Sequence, residues 1–232
     1  MLDRVDAALE RERAFVADAS HELRTPVAIL KAEIDLALAG ERSPQELRVA
    51  LASAREETER LARLADDLLV LARMDGGRLP LHPERLRTRD VLEAVTARFA
   101  ARAAEEGRSI EVAADPGATM IADRLRIEQA VTNLVDNALR HGAGPVVVRA
   151  RRVGDDVELS VEDGGAGVPP EDAEGVFGRF VRGGSAAAGQ GAGLGLSIVR
   201  AIARAHGGDA RIEATATVIR LPAVSGLRIS QH

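Results

Sequence analysis

The N-terminal third of the chain repeats apolar side chains at a heptad-like spacing, and this pattern limits the fold more than any other feature. Two stripes run through residues 3–39 and 44–75, and the segment between them carries Gly40 and Ser43-Pro44, typical of a helix end and a helix start. The sequence therefore predicts two long amphipathic helices joined as a hairpin. Because a lone hairpin leaves one apolar face in water, we expect two copies to pair in a four-helix bundle, as a homodimer.

Composition excludes several classes of function. Aromatic residues make up 2% of the chain, so stacking on nucleic-acid bases is nearly absent. The net charge is −5 with both signs interspersed, whereas a nucleic-acid surface needs clustered cations, and we expect no nucleic-acid partner. The chain has no Cys, which rules out disulfides and thiolate metal sites. No run of about 18 apolar residues is present, so we expect no membrane segment in this chain.

After Gly76-Gly77 the periodicity becomes mixed. Strands are predicted at 109–113, 146–151, 157–161, 209–213 and 217–221, and helices at 88–105, 123–141 and 194–206. Mixed elements of this kind predict an α+β fold, with an α/β sandwich after the hairpin. The expected domains are the hairpin at 1–75, a linker at 76–82, the sandwich at 83–224 and a tail at 225–232.

His21 lies between Ala19 and Leu23, which fall on the buried stripe of the first helix, so its side chain is predicted to point outward. A surface His is the ordinary interpretation of such a position. The neighbouring Glu22 can accept a proton from the imidazole, and a neutral imidazole with a free ring nitrogen is a nucleophile. Thr25 lies one turn further along nearly the same face.

A predicted helix in the second region carries Asn133, Asn137 and His141 at a spacing of four, so the three side chains form one polar stripe. Two Asn on a helix that otherwise faces the core cost stability unless they meet a polar ligand. Taken alone, the stripe also fits a solvated helix face.

Two glycine-rich segments follow that helix. In the first, Asp163 ends a predicted strand and precedes Gly165 and Gly167; a carboxylate there can accept the exocyclic amine of adenine. The second opens the helix at 194–206, where free N–H groups can bind phosphate. Its glycines are Gly191, Gly193 and Gly195. Either segment alone also fits an ordinary glycine-rich turn.

The segment FVADASHELRTPVAIL, residues 15–30, closely resembles the phosphoacceptor box of sensor histidine kinases. In that family the His is phosphorylated, and the acidic residue after it assists proton transfer. The Thr three residues further on helps to position water for dephosphorylation of the partner protein. The resemblance assigns these catalytic roles to His21, Glu22 and Thr25.

The later segments resemble the N, G1, F and G2 boxes of the same family, in the same order. The resemblance implies a Bergerat-type site for ATP and Mg²⁺, in which Asn137 ligates the metal, and an ATP lid at 183–191. The nucleotide-binding residues that it implies are Asn133, Asn137, Arg140, His141, Asp163, Gly165, Gly167, Phe180, Arg182, Gly191, Gly193, Leu194, Gly195 and Leu196.

The function implied by this resemblance is autophosphorylation of His21 by ATP, followed by transfer to an Asp of a response regulator, with phosphatase activity on that regulator through Thr25. The resemblance also implies a cytoplasmic location, as part of an inner-membrane sensor that continues upstream.

One family feature is absent, because the segment RIEATATVIRLP has no glycine where a G3 turn is usual. We expect a shortened hairpin there, with Thr215 or Thr217 in place of the usual Thr. Two alternatives remain open. A plain ATPase or chaperone-like machine is disfavoured by Asn133, since such proteins have a Glu base at that position. A non-enzymatic dimeric docking module is made plausible by the missing turn, and absence of ATP binding would favour it.

Overall fold

A computed structural model describes the backbone of residues 2–40, 42–75, 79–181 and 192–223, and the side chains of all of these except residues 2–8, 11, 12 and 75. The chain divides into two compact units, residues 1–69 and 70–232. Part of the predicted linker, residues 76–78, lies outside the description. Among the helices that are described, none is long and apolar enough to cross a membrane.

The first unit contains the predicted helical hairpin. Helix α1 spans Leu2–Leu38 and continues through Pro26, and helix α2 spans Pro44–Asp75. Ser43 and Glu46 form a reciprocal cap at the start of α2: the Ser43 N–H donates to Glu46 Oε2 at 2.8 Å, and the Glu46 N–H donates to Ser43 Oγ at 3.3 Å. Between the helices, Ser53 Oγ donates to Glu33 Oε1 at 2.6 Å. Both predicted helices are confirmed.

The second unit is an α/β sandwich, and with the hairpin it confirms the predicted α+β class. Its elements are β1 (Pro83–Arg87), α3 (Thr88–Ala97), α4 (Ala100–Glu105), β2 (Ile110–Ala114), β3 (Thr119–Asp123), α5 (Arg124–His141), β4 (Val146–Val153), β5 (Asp156–Glu162), a 3₁₀ turn (Gly175–Phe177), α6 (Gly195–Ala205), β6 (Asp209–Glu213) and β7 (Ala216–Pro222). A five-stranded sheet in the order β2-β4-β5-β7-β6 packs against α3, α5 and α6. Strand β2 is parallel to β4, and the other pairs are antiparallel.

The sequence prediction was wrong in two details. The helix predicted at 88–105 is interrupted at Arg98-Phe99, where α3 ends and α4 begins. Strands β1 and β3 were not predicted; they pair with each other in an antiparallel two-stranded sheet. Only Leu86 of β1 is buried, so this strand lacks the alternation of apolar and polar residues that identifies a strand in a sequence.

Asp123 joins three elements at the start of α5. Its carboxylate accepts the N–H of Arg126 at 3.1 Å, as the N-cap of the helix, and the N–H of His82 at 2.8 Å. Its own N–H donates to His206 Nε2 at 3.0 Å, while His206 Nδ1–H donates to Ile202 O at 2.8 Å. The helix that carries the polar stripe is thereby fixed to β1 and to the end of α6.

We predict that the stability of the second unit depends on pH through His206. Both ring nitrogens are engaged as in a neutral imidazole, because Ile202 O can only accept and the Asp123 N–H can only donate. Burial lowers the pKa of His206, although the bond to Ile202 and the charge of Asp123 oppose that effect. A folded-state pKa below the unfolded value of about 6.5 means that this stability is complete above that pH and is lost as the pH falls toward the folded pKa.

Calorimetric unfolding between pH 8 and pH 5 measures this dependence. The free energy of unfolding should fall with a slope approaching ~1.4 kcal/mol per pH unit in the acid range. His206→Gln should flatten this part of the curve, whereas His82→Gln, a change at an exposed His, should leave it intact. A slope that persists in His206→Gln would show that another group titrates.

Candidate active site

His21 is exposed on α1, with Glu22 half-buried beside it and Thr25 exposed one turn later. Pro26 is buried, and Ser20 Oγ is bound locally to Val16 O at 2.7 Å. The imidazole is thus accessible from solvent within the described hairpin, with a carboxylate as its chain neighbour. This arrangement can present a nucleophile to a group that approaches from outside the hairpin.

The polar stripe of α5 faces away from a fully apolar side. Asn133 and Asn137 are half-buried, and Asn133 Nδ2 lies 3.5 Å from Gly195 O at the start of α6. The amide of Asn137 has no hydrogen-bond partner among the described residues. The buried residues of the helix are Ile127, Ala130, Val131, Leu134, Val135, Ala138 and Leu139. Because no protein group engages this amide among the described residues, its oxygen is available to a polar ligand.

The end of the same helix carries the two basic candidates. Arg140 Nε pairs with Asp136 Oδ2 at 2.6 Å, one turn earlier, and Arg102 Nη1 of α4 binds the other oxygen of Asp136 at 2.7 Å. His141 is exposed at the last position of α5. Arg140 is therefore held by a carboxylate in this structure, and binding phosphate would require it to share or leave that contact.

Asp163 is held between two glycines. Its Oδ1 accepts the N–H of Gly165 at 2.7 Å. A Cβ atom on Gly142 would lie 2.3 Å from Asp163 Cγ, and one on Gly165 would lie 2.7 Å from Asp163 Oδ1. Real side chains do not tolerate such distances, so both positions need glycine for the carboxylate to occupy its place.

Gly167 packs on the turn between β6 and β7. That turn has two residues, Ala214 and Thr215, because Glu213 pairs directly with Ala216, so the hairpin is short as its sequence predicts. A Cβ on Gly167 would lie 2.6 Å from Ala214 O, and the Thr215 methyl is also nearby. The first glycine segment therefore rests on the shortened hairpin.

Ala214 adopts φ +51°, in the left-handed region where glycine is favoured. We predict that Ala214→Gly stabilises the second unit by about 0.5–1 kcal/mol, because relief of the strain exceeds the added entropy of the unfolded chain. Calorimetry should detect a rise of a few degrees in Tm. Ala216→Gly, in the adjacent strand, should instead destabilise. Equal signs for the two changes would argue against strain at Ala214.

The start of α6 packs against the F-box segment, the residues 176–183 (VFGRFVRG) that resemble the F box, of which 176–181 are described. Gly193 has φ +66°, and a Cβ there would lie 2.7 Å from both Phe180 C and Val181 O. Phe180 itself has φ +58° and is half-buried. Residues 181 and 193, which flank the predicted ATP lid, are thus in contact. The lid at 183–191, including Gly191, and the preceding Arg182 lie outside the described residues.

Among the described residues, no side chain caps the amino terminus of α6, whose first residue is Gly195. Leu194 is buried and Leu196 half-buried, and Leu194 O accepts the hydroxyl of Ser197 at 2.7 Å. The first N–H groups of this eleven-residue helix are therefore free of a side-chain cap, as a site for an anion requires.

Arg200 is a supporting residue that the sequence motifs do not identify. Its guanidinium lies 4.8 Å from the centre of the buried Phe177 ring and pairs with both oxygens of Glu174, at 2.6 and 3.1 Å. Its Nε also binds Asp209 at 3.1 Å. Although partial burial acts in the opposite direction, hydrogen bonds from Arg200 and the Ala210 N–H hold the pKa of Asp209 at about 2. Arg200 thus fixes the F-box segment to α6 and β6.

The donor set suits Mg²⁺ only if a ligand supplies further oxygens. Within the described residues, no group of three His, Cys, Asp or Glu side chains converges as a metal site. The free amide of Asn137 offers one hard oxygen, which matches a cation that is held largely by phosphate and water. A resident metal held by protein alone does not fit these residues, whereas a metal that arrives with a nucleotide does.

Two family profiles match successive parts of the chain. The His Kinase A (phospho-acceptor) domain matches residues 11–77, and the histidine kinase-, DNA gyrase B- and HSP90-like ATPase matches residues 122–225. The chain belongs to the sensor histidine kinases. The first match contains His21, and the second contains both Asn residues and both glycine segments. This kinase therefore carries a phosphoacceptor and an ATPase-type domain in one chain.

Known proteins agree with that assignment. The sensor histidine kinase CusS of Escherichia coli K12 is 34% identical over 96% of this chain and 48% of its own length, so this chain spans about half the length of that relative. The histidine kinase AdeS of Acinetobacter baumannii is 29% identical, with a TM-score of 0.70 over 88% of this chain and 98% of the AdeS chain.

Two further solved structures are complexes. Full-length ShkA, solved with AMPPNP, has a TM-score of 0.65 and 26% identity over 90% of this chain and 44% of its own. The histidine kinase ThkA, solved with the response regulator protein TrrA, has a TM-score of 0.68 over 96% of this chain and 66% of its own, and at 22% identity it indicates the fold alone.

Proposed function

We propose that this kinase transfers the γ-phosphoryl group of ATP to His21 and then to an Asp of a response regulator. The observation that carries the proposal is the presence, in one chain, of two features. One is an exposed His followed by Glu22; the other is a half-buried Asn137 without a partner among the described residues, one turn after Asn133, whose Nδ2 lies 3.5 Å from Gly195 O at the start of α6. One is a nucleophile open to an incoming group. The other is a polar site that can accept a ligand.

In the nucleotide site, the Asp163 carboxylate accepts the exocyclic amine of adenine, and the two glycines beside it let the base approach the backbone. The N–H groups at the start of α6 bind phosphate oxygens, with Asn133 beside them. Asn137 holds Mg²⁺, which neutralises phosphate charge when it is bound. AMPPNP, bound by the similar ShkA, is an analogue of ATP, which supports this ligand class.

In the transfer step, a ring nitrogen of neutral His21 attacks the γ-phosphorus with its lone pair. The new N–P bond forms as the bond from phosphorus to the β,γ-bridging oxygen breaks, and ADP leaves. The proton on the other ring nitrogen passes to the Glu22 carboxylate, which removes the positive charge from the ring. Positioning and charge neutralisation supply most of the catalysis.

The proposed partners follow from the hairpin. Its apolar residues remain in water in the single chain: Val16 is 58% exposed, Ile34 45% and Leu51 69%. A second copy buries such a stripe in a four-helix bundle, which supports a homodimer. A response regulator then takes the phosphoryl group from His21. Thr25 positions water for a separate reaction, the dephosphorylation of that regulator. The whole protein is proposed to be a membrane-anchored sensor with this part in the cytoplasm.

Incubation with ATP labelled at the γ-phosphate tests the proposal. Label should enter the chain as phosphate that is lost in acid and retained in base, which distinguishes phosphohistidine from phosphoserine. It should then pass to an added response regulator. Acid-stable label, or ATP binding without any labelling, would contradict the proposed reaction.

A further inference from the structure

Arg108, two residues before β2, forms hydrogen bonds with the carboxyl end of α5. Its Nη1 donates to Ala138 O at 3.0 Å and to Leu139 O at 2.9 Å, and its Nε donates to Gly144 O at 2.7 Å. One guanidinium therefore joins the last turn of the helix to the turn that follows it. A cation at this position also complements the negative end of the helix dipole.

The turn held by Arg108 is the one against which the first glycine segment packs. Gly164 N–H donates to Ala143 O at 2.7 Å, and a Cβ on Gly144 would lie 3.9 Å from Gly164 Cα. The carboxyl carbon of Asp163 lies 2.3 Å from the place where a Gly142 Cβ would stand. Movement of this turn by even a few tenths of an ångström therefore moves the Asp163 carboxylate.

We infer that Arg108 is a positioning residue for adenine recognition: it fixes the turn at 142–145, and through that turn the Asp163 carboxylate that accepts the adenine amine. The inference rests on the proposed function, in which Asp163 binds adenine. Arg108 touches no nucleotide itself; it acts through main-chain carbonyls.

The chemistry of the contact favours Arg over other residues. The three acceptors are main-chain carbonyls on two segments, the end of α5 and the turn after it. The planar guanidinium has N–H donors in two directions and can bind both segments, whereas a Lys ammonium cannot hold the same geometry. No carboxylate pairs with Arg108 among the residues described. Its Nη2 is buried without a partner there, which costs stability. An Arg whose only role was to keep this surface soluble would not have a buried guanidinium nitrogen.

The test compares ATP with inosine triphosphate, which has an oxo group where adenine has its amine. Calorimetry measures the Kd of each nucleotide, in magnesium, well below the unfolding temperature of every variant. The wild-type chain should prefer ATP by roughly ten- to a hundredfold, the value of one hydrogen bond to a charged group. Asp163→Asn should erase or reverse that preference, because its amide N–H suits an oxo group.

Arg108→Ala should reduce the ATP preference to within about threefold, and Arg108→Lys, which keeps charge and one donor, should fall between. Arg98→Ala is the matched control, since Arg98 binds the side chain of Glu128 on α5 rather than the end of the helix, and it should keep the wild-type ratio. A purely structural role would lower Tm in Arg108→Ala or Arg108→Lys with an unchanged ratio, and that result overturns the inference. A ratio that survives in Asp163→Asn would instead refute the proposed role of Asp163.

Discussion

Replacing His21 by Gln is expected to reduce phosphoryl incorporation from γ-labelled ATP to background, by roughly a thousandfold or more. Gln keeps a polar side chain of similar length on an exposed position of α1, so the hairpin should fold normally. It lacks the nucleophilic ring nitrogen, and no other group in this position can form the N–P bond. Time courses of label incorporation, measured with the Kd for ATP in the same preparation, check both expectations.

Two matched variants make the result specific to this residue. Glu22→Gln keeps the nucleophile but removes the proton acceptor, so the labelling rate should fall by about a hundredfold or more while the chemical stability of the label is unchanged. His82→Gln, at another exposed imidazole, should label as the wild type does. Label that persists in His21→Gln would identify a different acceptor and refute the assignment.

The hairpin was predictable because its signals are local and repeated. A heptad pattern over two long stretches specifies two helices, and the Ser43–Glu46 pair marks the start of α2 within four residues of sequence. The larger strands were equally readable, since β5 alternates apolar and polar side chains, whereas β4 and β7 contain several β-branched residues that favour strands. In these segments local pattern and tertiary structure agree.

The elements that were missed depend on contacts distant in sequence. Leu86 is the one buried residue of β1, and that strand exists through its pairing with β3, more than thirty residues later. The break at Arg98-Phe99 has neither Gly nor Pro to mark it, so helix propensity alone predicts continuity. Tertiary packing decides both cases.

The candidate site shows the same difference between residues that a local pattern identifies and residues that only long-range contacts identify. Motifs name the residues proposed to touch the nucleotide, such as Asn137 and Asp163, because each motif is a short local pattern. They do not name the residues that hold these in place. Arg108 reaches a carbonyl thirty residues away, and Arg200 reaches a carboxylate twenty-six residues away. Such contacts leave no periodic or local trace in a single sequence.

Asn137→Ala is expected to remove the magnesium-dependent part of ATP binding. The wild-type chain should bind ATP more tightly in magnesium than in EDTA, and the variant should bind about equally in both, because it lacks the amide oxygen of α5 that is proposed to bind the metal. Loss of a metal contact of this kind is worth about 3 kcal/mol, so phosphorylation of His21 should slow by roughly a hundredfold. Isothermal titration in the two buffers, followed by labelling assays, measures both quantities.

Thr132→Ala is the control for that variant, since Thr132 lies on α5 outside the polar stripe and should retain the magnesium effect. The Kd for ATP in EDTA distinguishes loss of the metal contact from loss of the contacts to adenine and phosphate. Asn137→Ala should match the wild type in EDTA, because Asp163 and the start of α6 are unchanged. A variant that binds weakly in EDTA as well has lost the fold of the site rather than a ligand to the metal. One that keeps the full magnesium effect would show that another oxygen holds the cation, and the proposed role of Asn137 would have to be abandoned.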